Sequence, residues 1–252
     1  LPEYKLNRKP IKLNRSDIYE DIPDTAENFN YQVALLTNLL KHIPVQQVYV
    51  GECEADDIIG YICRYEVPDQ EKIIVSMDQD LHQLLSHNVV QYSPASKKML
   101  DQNYVLERYG VSTENFITAR CFIGDSSDGI SGIKGCGFKS LVKRFPELKS
   151  PEFVSVDDII KLCETRNEQK SYSMFRNILA QPDIPRRNWK LMYLDNSNLS
   201  AEHVKKLKYS VQNYELSKNK FNLIKDLVSE GLDMPRGFDV DRLYLRINSC
   251  IK

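Results

Sequence analysis

The first hundred residues predict an α/β fold, a mainly parallel sheet with flanking helices, followed by a helical C-terminal region. Two β-rich runs carry this reading, QQVYVG at 46–51 and KIIVSM at 72–77, each followed by apolar residues at helical spacing. Beyond about residue 105 the β signals fade and helical patterns dominate. Strands separated by a crossover helix imply parallel pairing, with helices packed on the sheet.

A first amphipathic helix is predicted over 25–43, with Val33, Leu36, Leu39 and Leu40 inward. After the first β run, Ala55, Ile58, Ile59 and Ile62 share one helix face; after the second, Leu81, Leu84 and Leu85 do the same. VVQYSP then reads as extended, with the short KKML behind it. NFITARCFIG, FKSLVKRF, VDDIIKLC, SMFRNILA and ELSKNKFNLIKDLVSEG all carry i, i+3, i+4 apolar spacing between Pro, Gly and Asn/Asp punctuation. MPRGFDVDRLYLRI reads as a segment that packs on a core. Two regions are expected, an α/β core over 1–105 and a helical region over 106–252.

At 252 residues, 42% hydrophobic and 27% charged, the chain reads as a globular protein, and no run reaches the roughly 18 apolar residues of a membrane span. The opening LPEYKLNRKPIKL lacks the apolar stretch of a secretory signal. Six cysteines without a C-x-x-C pair fit reduced thiols in a cytoplasmic protein rather than a zinc site or a disulfide framework. The net charge of -1 argues weakly against nucleic-acid binding, yet basic residues cluster at Lys5 to Arg15, at Lys134 to Lys149 and at Lys205 to Lys220. Each cluster alone reads as a solvated helix face.

GECEADDIIGYI puts Glu52, Glu54, Asp56 and Asp57 at one helix start. Acids there are favoured by the helix dipole, by about 0.3–1 kcal/mol each. Crowded carboxylates also repel, by about 1 kcal/mol per pair even in water, so four acids exceed what capping needs. SMDQDLHQLL repeats the theme, with Asp78 and Asp80 beyond the C-terminal end of the second run, the edge where open α/β sheets bind ligands. Asp125 and Asp128 follow in GDSSDGISGIKGCGFKS. All-oxygen donors without His or Cys select a hard cation such as Mg2+ or Mn2+. Two such ions, about 3.5–4 Å apart, suit phosphodiester hydrolysis. The glycines at 129, 132, 135 and 137, followed by Lys139, Lys143 and Arg144 on a helix, read as a clamp for a phosphate backbone.

In order and approximate spacing, ECEADD, SMDQDLHQLL and GDSSDGISGIKGCGFKS resemble the 5′-nuclease family, the 5′-3′ exonucleases and flap endonucleases, and most resemble its bacteriophage 5′-exonuclease and RNase H members. The resemblance covers roughly residues 1–145. It implies a PIN-like core and a helix-three-turn-helix that grips duplex DNA. It implies that Glu54 and Asp56, with Asp57 adjacent, surround a first metal, that Asp78, Asp80 and Asp125 ligate a second, and that Asp128 acts through water. Lys5 and Arg8 match catalytic residues at the scissile phosphate, Tyr4 a base-stacking position and Arg120 a basic residue facing the substrate. Gly132, Lys134, Gly135, Gly137 and Lys139 match the DNA-gripping motif, where K+ is also held.

The implied cofactors are two Mg2+ ions, with Mn2+ able to substitute. The implied partners are DNA with 5′ ends or flaps, RNA–DNA hybrids and replication proteins, met by a monomer in the cytoplasm of a cell or of a viral host. The family also has a first strand and two metal-binding aspartates upstream of the YK segment, so a stretch of several tens of residues is expected ahead of Leu1. Two other readings stay open, a DNA-binding module that has lost turnover and a PIN-type ribonuclease.

Overall fold

The computed structural model describes residues 23–195, 198–215, 217–231 and 239–250. Tyr4, Lys5 and Arg8 lie outside them. The described residues fall into two units, one running from Glu52 to Ser200, the other made of residues up to Gly51 and from Ala201 onward.

In the first unit, Lys72–Val75 (β1), Val89–Ser93 (β2) and Lys98–Leu100 (β3) form a sheet in the order β1-β2-β3. β1 and β2 are parallel, with Lys72 opposite Val89; β2 and β3 are antiparallel, with Gln91 opposite Leu100. The sheet is therefore small and mixed. The expected strand at 46–51 is absent: the segment makes no ladder, Tyr49 is 87% exposed, and β1 takes its parallel partner from 89–93 instead. β propensity produces a strand only where a neighbour can take up the backbone groups.

Helices form most of the unit: Ala55–Tyr61 after the first acidic run, Gln102–Tyr109, Thr113–Ile123, Phe138–Arg144, Val156–Gln169, Ser173–Ala180 and Asp183–Met192. With Ala26–Leu40 of the other unit as α1, these are α2 to α8 in chain order. The helix expected around Leu81, Leu84 and Leu85 is a single 3-10 turn over Asp80–Leu84, yet all three leucines are buried as expected. α4 is the axis of the core. Its Phe116, Ile117, Thr118, Ala119, Cys121 and Phe122 are all about 1% exposed or less, so it is covered on every side. Asn115, also buried, donates to Ser150 O at 3.0 Å and Glu152 O at 2.8 Å and accepts from Val154 N at 2.7 Å.

One core joins Ile74, Leu81 and Val89 to Phe116, Leu141, Phe145 and Ile159. It runs straight across residue 105. The expected boundary there marks a change from strand to helix within one unit, because the sheet buries its apolar face on helices that follow it in sequence.

In the second unit α1 is joined by Ala201–Gln212 (α9), Lys220–Ser229 (α10) and Val240–Cys250 (α11). Leu223, Val240 and Tyr244 pack with Leu39, Ile43 and Leu227. His42 Nε2 lies 2.7 Å from Asp226, and the Tyr244 hydroxyl donates to His42 O at 2.6 Å. DVDRLYLRI thus packs on a core through Val240 and Tyr244. Leu39 and Leu40 are half-buried as expected, but Val33 and Leu36 are 46% and 56% exposed, so the apolar stripe of α1 is covered only at its C-terminal end. No helix among the described residues is long and apolar enough to cross a membrane.

Candidate acidic active site

The chain leaves the sheet at Val75 and reaches Asp78 and Asp80 before the 3-10 turn begins. This short loop is tied down from inside. Gln91, on β2 and 1% exposed, donates through Nε2 to Ser76 O at 3.0 Å and Asp78 O at 2.9 Å, while its Oε1 sits 2.9 Å from Nδ1 of buried His82. His82 is ringed by Tyr104, Tyr109 and Phe116 at 5.3–6.0 Å between centroids. Burial drives its pKa down, so the ring is held neutral. Asp78 accepts from Asp80 N at 2.9 Å, and Gln83 donates to Asp80 O at 2.8 Å and Met192 O at 3.0 Å.

The first acidic group stands on a less deeply buried element. Glu52 turns the chain with φ 62, and Glu54 occupies the N-cap position of α2 without its side chain capping the helix. Asp56 and Asp57 stand in the first turn. Ile58, Ile59 and Ile62 are half-buried, Ala55 is exposed, and Gly60 and Tyr61 are the buried residues of the helix. Asn198 donates to Asp57 at 2.9 Å and to Tyr193 O at 3.0 Å.

The third group rides on the loop after α4. Asp125 and Ile130 exchange backbone hydrogen bonds, both 2.7 Å, and Ile133 N donates to Phe122 O at 2.8 Å. Gly124 has φ 80, and a Cβ on Gly132 would lie 1.9 Å from Ile123 O, so two backbone segments touch where no side chain fits. Beyond them Gly135 takes φ 90, and Ser140 accepts from Gly137 N at 2.9 Å and donates to Gly135 O at 2.8 Å, closing the turn into α5. Lys134 and Lys139 are exposed on this turn. α4, the glycine turn and α5 make a helix–turn–helix in the expected place.

Glu54, Asp56, Asp57, Asp78, Asp80 and Asp128 line one cavity of about 220 Å3, closed on the other side by Ile130, Lys190, Met192, Leu194 and Asn198. Six of the seven expected metal-site acids therefore share one cleft. Asp125 sits behind it, joined to Asp80 through Arg120. The Arg120 Nη2 lies 3.0 Å from Asp80 Oδ1 and 2.5 Å from Asp125 Oδ2, and its side chain is 11% exposed. Expected to face a substrate, Arg120 here turns toward Asp80 and Asp125, two half-buried carboxylates for which it is the counter-charge. Burial, opposed by Arg120, pushes the Asp80 carboxyl up to about 6. For Asp125 burial acts the same way, but hydrogen bonds from Ser127 and the Arg120 charge outweigh it and bring the carboxyl below its usual range.

An oxygen-only donor set around one cavity fits a hard divalent cation. Among the described residues no group of three or more Asp, Glu, His or Cys side chains is already placed to hold an ion. The donors fit in kind; their final positions would be taken up on binding.

Residues 183–195 and Asn198 carry no role in the sequence reading, yet they frame the cleft. Buried Asn188 of α8 donates to Cys121 O at 2.8 Å and Ser131 O at 2.9 Å, and Leu194 N donates to Gln83 Oε1 at 3.0 Å. Lys190 lines the cavity and pairs with none of the described carboxylates. Only its position in the fold reveals it; the local pattern RRNWK reads as a solvated helix face.

Residues 1–110 match the family model described as the 5'-3' exonuclease, N-terminal resolvase-like domain. Over these residues the chain is similar to the 5′-nuclease family. A 5'-3' exonuclease of Buchnera aphidicola is 26% identical over 209 residues, 81% of this chain and 62% of that protein. DNA polymerase I of Streptococcus pneumoniae is 29% identical over 236 residues, 87% of this chain and 26% of that protein. The chain thus spans less than two thirds of either relative. Among solved structures, bacteriophage T5 5'-exonuclease with bound zinc gives a TM-score of 0.66 at 23% identity, covering 84% of this chain and 77% of that one. The T5 flap endonuclease in a complex with DNA and metal ions gives 0.64 at 22% identity, over 84% and 77% of the two chains. These likenesses show that the 5′-nuclease fold extends over most of this chain.

Proposed function

We propose that this chain is the nuclease part of a divalent-metal-dependent, structure-selective 5′-nuclease, which hydrolyses phosphodiesters near the 5′ end of DNA or of RNA–DNA hybrids during replication or repair. The observation that carries the reading is the convergence of six carboxylates from three chain segments on one cleft, within a chain similar to this family. Glu54, Asp56 and Asp57 would hold one ion, and Asp78, Asp80 and Asp128 a second, with Asp125 behind them. We take the ions to be Mg2+, with Mn2+ able to substitute. When bound, they supply charge neutralisation and activation of the attacking water.

The protein's own part is positioning. The Gln91–His82 pair holds the Asp78 loop, Asn188 joins α8 to α4, and Lys190 offers the cleft wall a positive charge for a phosphate oxygen. Lys5 and Arg8 act at the scissile phosphate in this reading. Lys134 and Lys139 at the glycine turn meet the phosphate backbone of the duplex, which contributes affinity without base readout.

The test is cleavage of a 5′-labelled flap and of an RNA–DNA hybrid with Mg2+, comparing the chain with Asp78→Asn/Asp80→Asn. A loss of at least ~100-fold in the double variant is expected, the scale of removing a catalytic charge-stabilising group. Equal metal-dependent cleavage by both proteins would sink the assignment of these ligands. A second reading, a DNA-binding module without turnover, is favoured by the lack of a ready-made ion cage among the described residues. It predicts salt-sensitive duplex binding with no product at any metal concentration.

A further inference from the structure

The Arg120 guanidinium stands between carboxylates from two different chain segments, Asp80 at the 3-10 turn and Asp125 after α4. It is a constrained placement. Nη2 serves both carboxylates, Nη1 reaches Gly124 O only at 3.4 Å, and Nε is buried without a partner. A guanidinium free to choose would use its fork of donors in parallel on one carboxylate. Here one corner of it acts as a point charge. Arg120 does not line the acidic cavity, whereas Asp80 does. The other Asp125 oxygen, Oδ1, accepts from Ser127 N at 2.9 Å and from the Ser127 hydroxyl, so both oxygens of that carboxylate are engaged.

We propose that Arg120 is an internal place-holding cation: it keeps Asp80 and Asp125 together in the metal-free protein, and a divalent ion entering the cleft competes with it for Asp80. The inference rests on the metal-dependent reading above and adds a residue that sets the affinity for the ion. Two cations sharing one carboxylate in a partly desolvated site repel strongly, so the ion binds best when the guanidinium withdraws. Arg120 is a positioning residue in this scheme, acting through Asp80 rather than on the substrate.

The experiment is carried out without DNA. Mn2+ binding is measured by calorimetry on the full chain, on Arg120→Met and on Arg120→Lys, with circular dichroism as the folding control. Arg120→Met is expected to bind Mn2+ about tenfold more tightly and to melt at a lower temperature in EDTA, with Mn2+ restoring the loss; Arg120→Lys, which keeps the charge, stays within about threefold of the unaltered chain. These expectations follow from the size of a single charge–charge interaction near a protein surface. Should Arg120→Met fail to fold, 15N-arginine labelling of the unaltered chain gives the same answer. The Arg120 Nε–H signal is expected to be protected from solvent exchange in EDTA and to lose protection at saturating Mg2+.

Unchanged or weaker Mn2+ binding by folded Arg120→Met, or an Nε–H signal indifferent to bound Mg2+, overturns this proposal and leaves the nuclease reading standing. Absence of divalent binding in both the unaltered chain and Arg120→Met overturns both. Binding only after Arg120→Met supports the place-holder.

Discussion

The first two acid groups of the cleft are built to different standards. Asp78 and Asp80 stand on a loop whose backbone is gripped by a buried glutamine, whose next turn and its cap bury a histidine and three leucines, and whose second carboxylate is paired with the half-buried Arg120. Glu54, Asp56 and Asp57 stand at the start of a helix of seven residues whose buried residues are Gly60 and Tyr61, and Asn198 donates to Asp57 at the surface. The lesson concerns where preorganisation resides. On the proposed metal-dependent reading, one wall of the cleft is fixed before an ion binds and the less deeply packed wall adjusts around it, which agrees with donors of the right kind that are not arranged as a cage among the described residues.

Breaking the fixed wall should have the largest effect. Gln91→Leu leaves the Ser76 and Asp78 carbonyls and the His82 ring nitrogen without their partner, at a cost of about 3 kcal/mol in stability. Thermal or urea unfolding measures this, and cleavage at constant Mg2+ is expected to fall at least about tenfold, the scale of a site loosened by a fraction of an ångström. A cost below about 1 kcal/mol would mean that the clamp does not hold the wall.

A smaller effect concerns pH. Burial depresses the His82 pKa from its ordinary 6.5, so below that pH the unfolded chain takes up a proton that the folded chain refuses. Stability therefore rises with pH through the window just below 6.5 and is lost as pH falls, by at most about 1.4 kcal/mol per pH unit. Asp80, raised to about 6, works in the opposite sense: the folded chain holds its proton longer, and stability falls as pH climbs from 3.8. Comparing melting at pH 7 and pH 5 for the unaltered chain and His82→Phe isolates the histidine, because Asp80 is common to both. The variant should show the shallower loss on acidification.

The smallest effect is expected on the adjustable wall. Asn198→Ala removes two surface hydrogen bonds and should cost about 0.5–1 kcal/mol, with cleavage within threefold of the unaltered chain. A drop as large as that of Gln91→Leu would erase the distinction between the walls.

Much of this was legible from sequence because it is local. The acids at the two helix starts, the glycine turn and the helix at 113–123 are written in adjacent residues, and the structure brings six of the seven acids to one cleft. What was not legible depends on partners distant in the chain. QQVYV has strand chemistry but finds no ladder, and Val33 and Leu36 have helix spacing but remain exposed. Arg120 is an ordinary basic residue in TARCFIG until Asp80, forty positions earlier, is seen beside it. His82 and Gln91 look like unremarkable polar residues in apolar runs; only pairing of β1 with β2 makes them a buried couple. The composition change near 105 resembles a boundary because a shift from strand to helix looks the same in sequence whether or not one core spans it.

The contact between Gly124 and Gly132 has a consequence for distance. A Cβ at 132 would collide with Ile123 O, so backbone meets backbone at the neck of the loop that carries Asp125 and Asp128 on one side and leads to the glycine turn on the other. The neck works as a ruler with no adjustable part. Its length is set by peptide geometry alone, and with the neck pinned an inserted residue between 124 and 132 would distort the loop that carries Asp125 and Asp128 while the glycine turn stays in place. On the proposed reading, in which the protein grips a duplex beyond this neck and cuts at the loop before it, the offset between grip and cut is thereby graduated into the main chain.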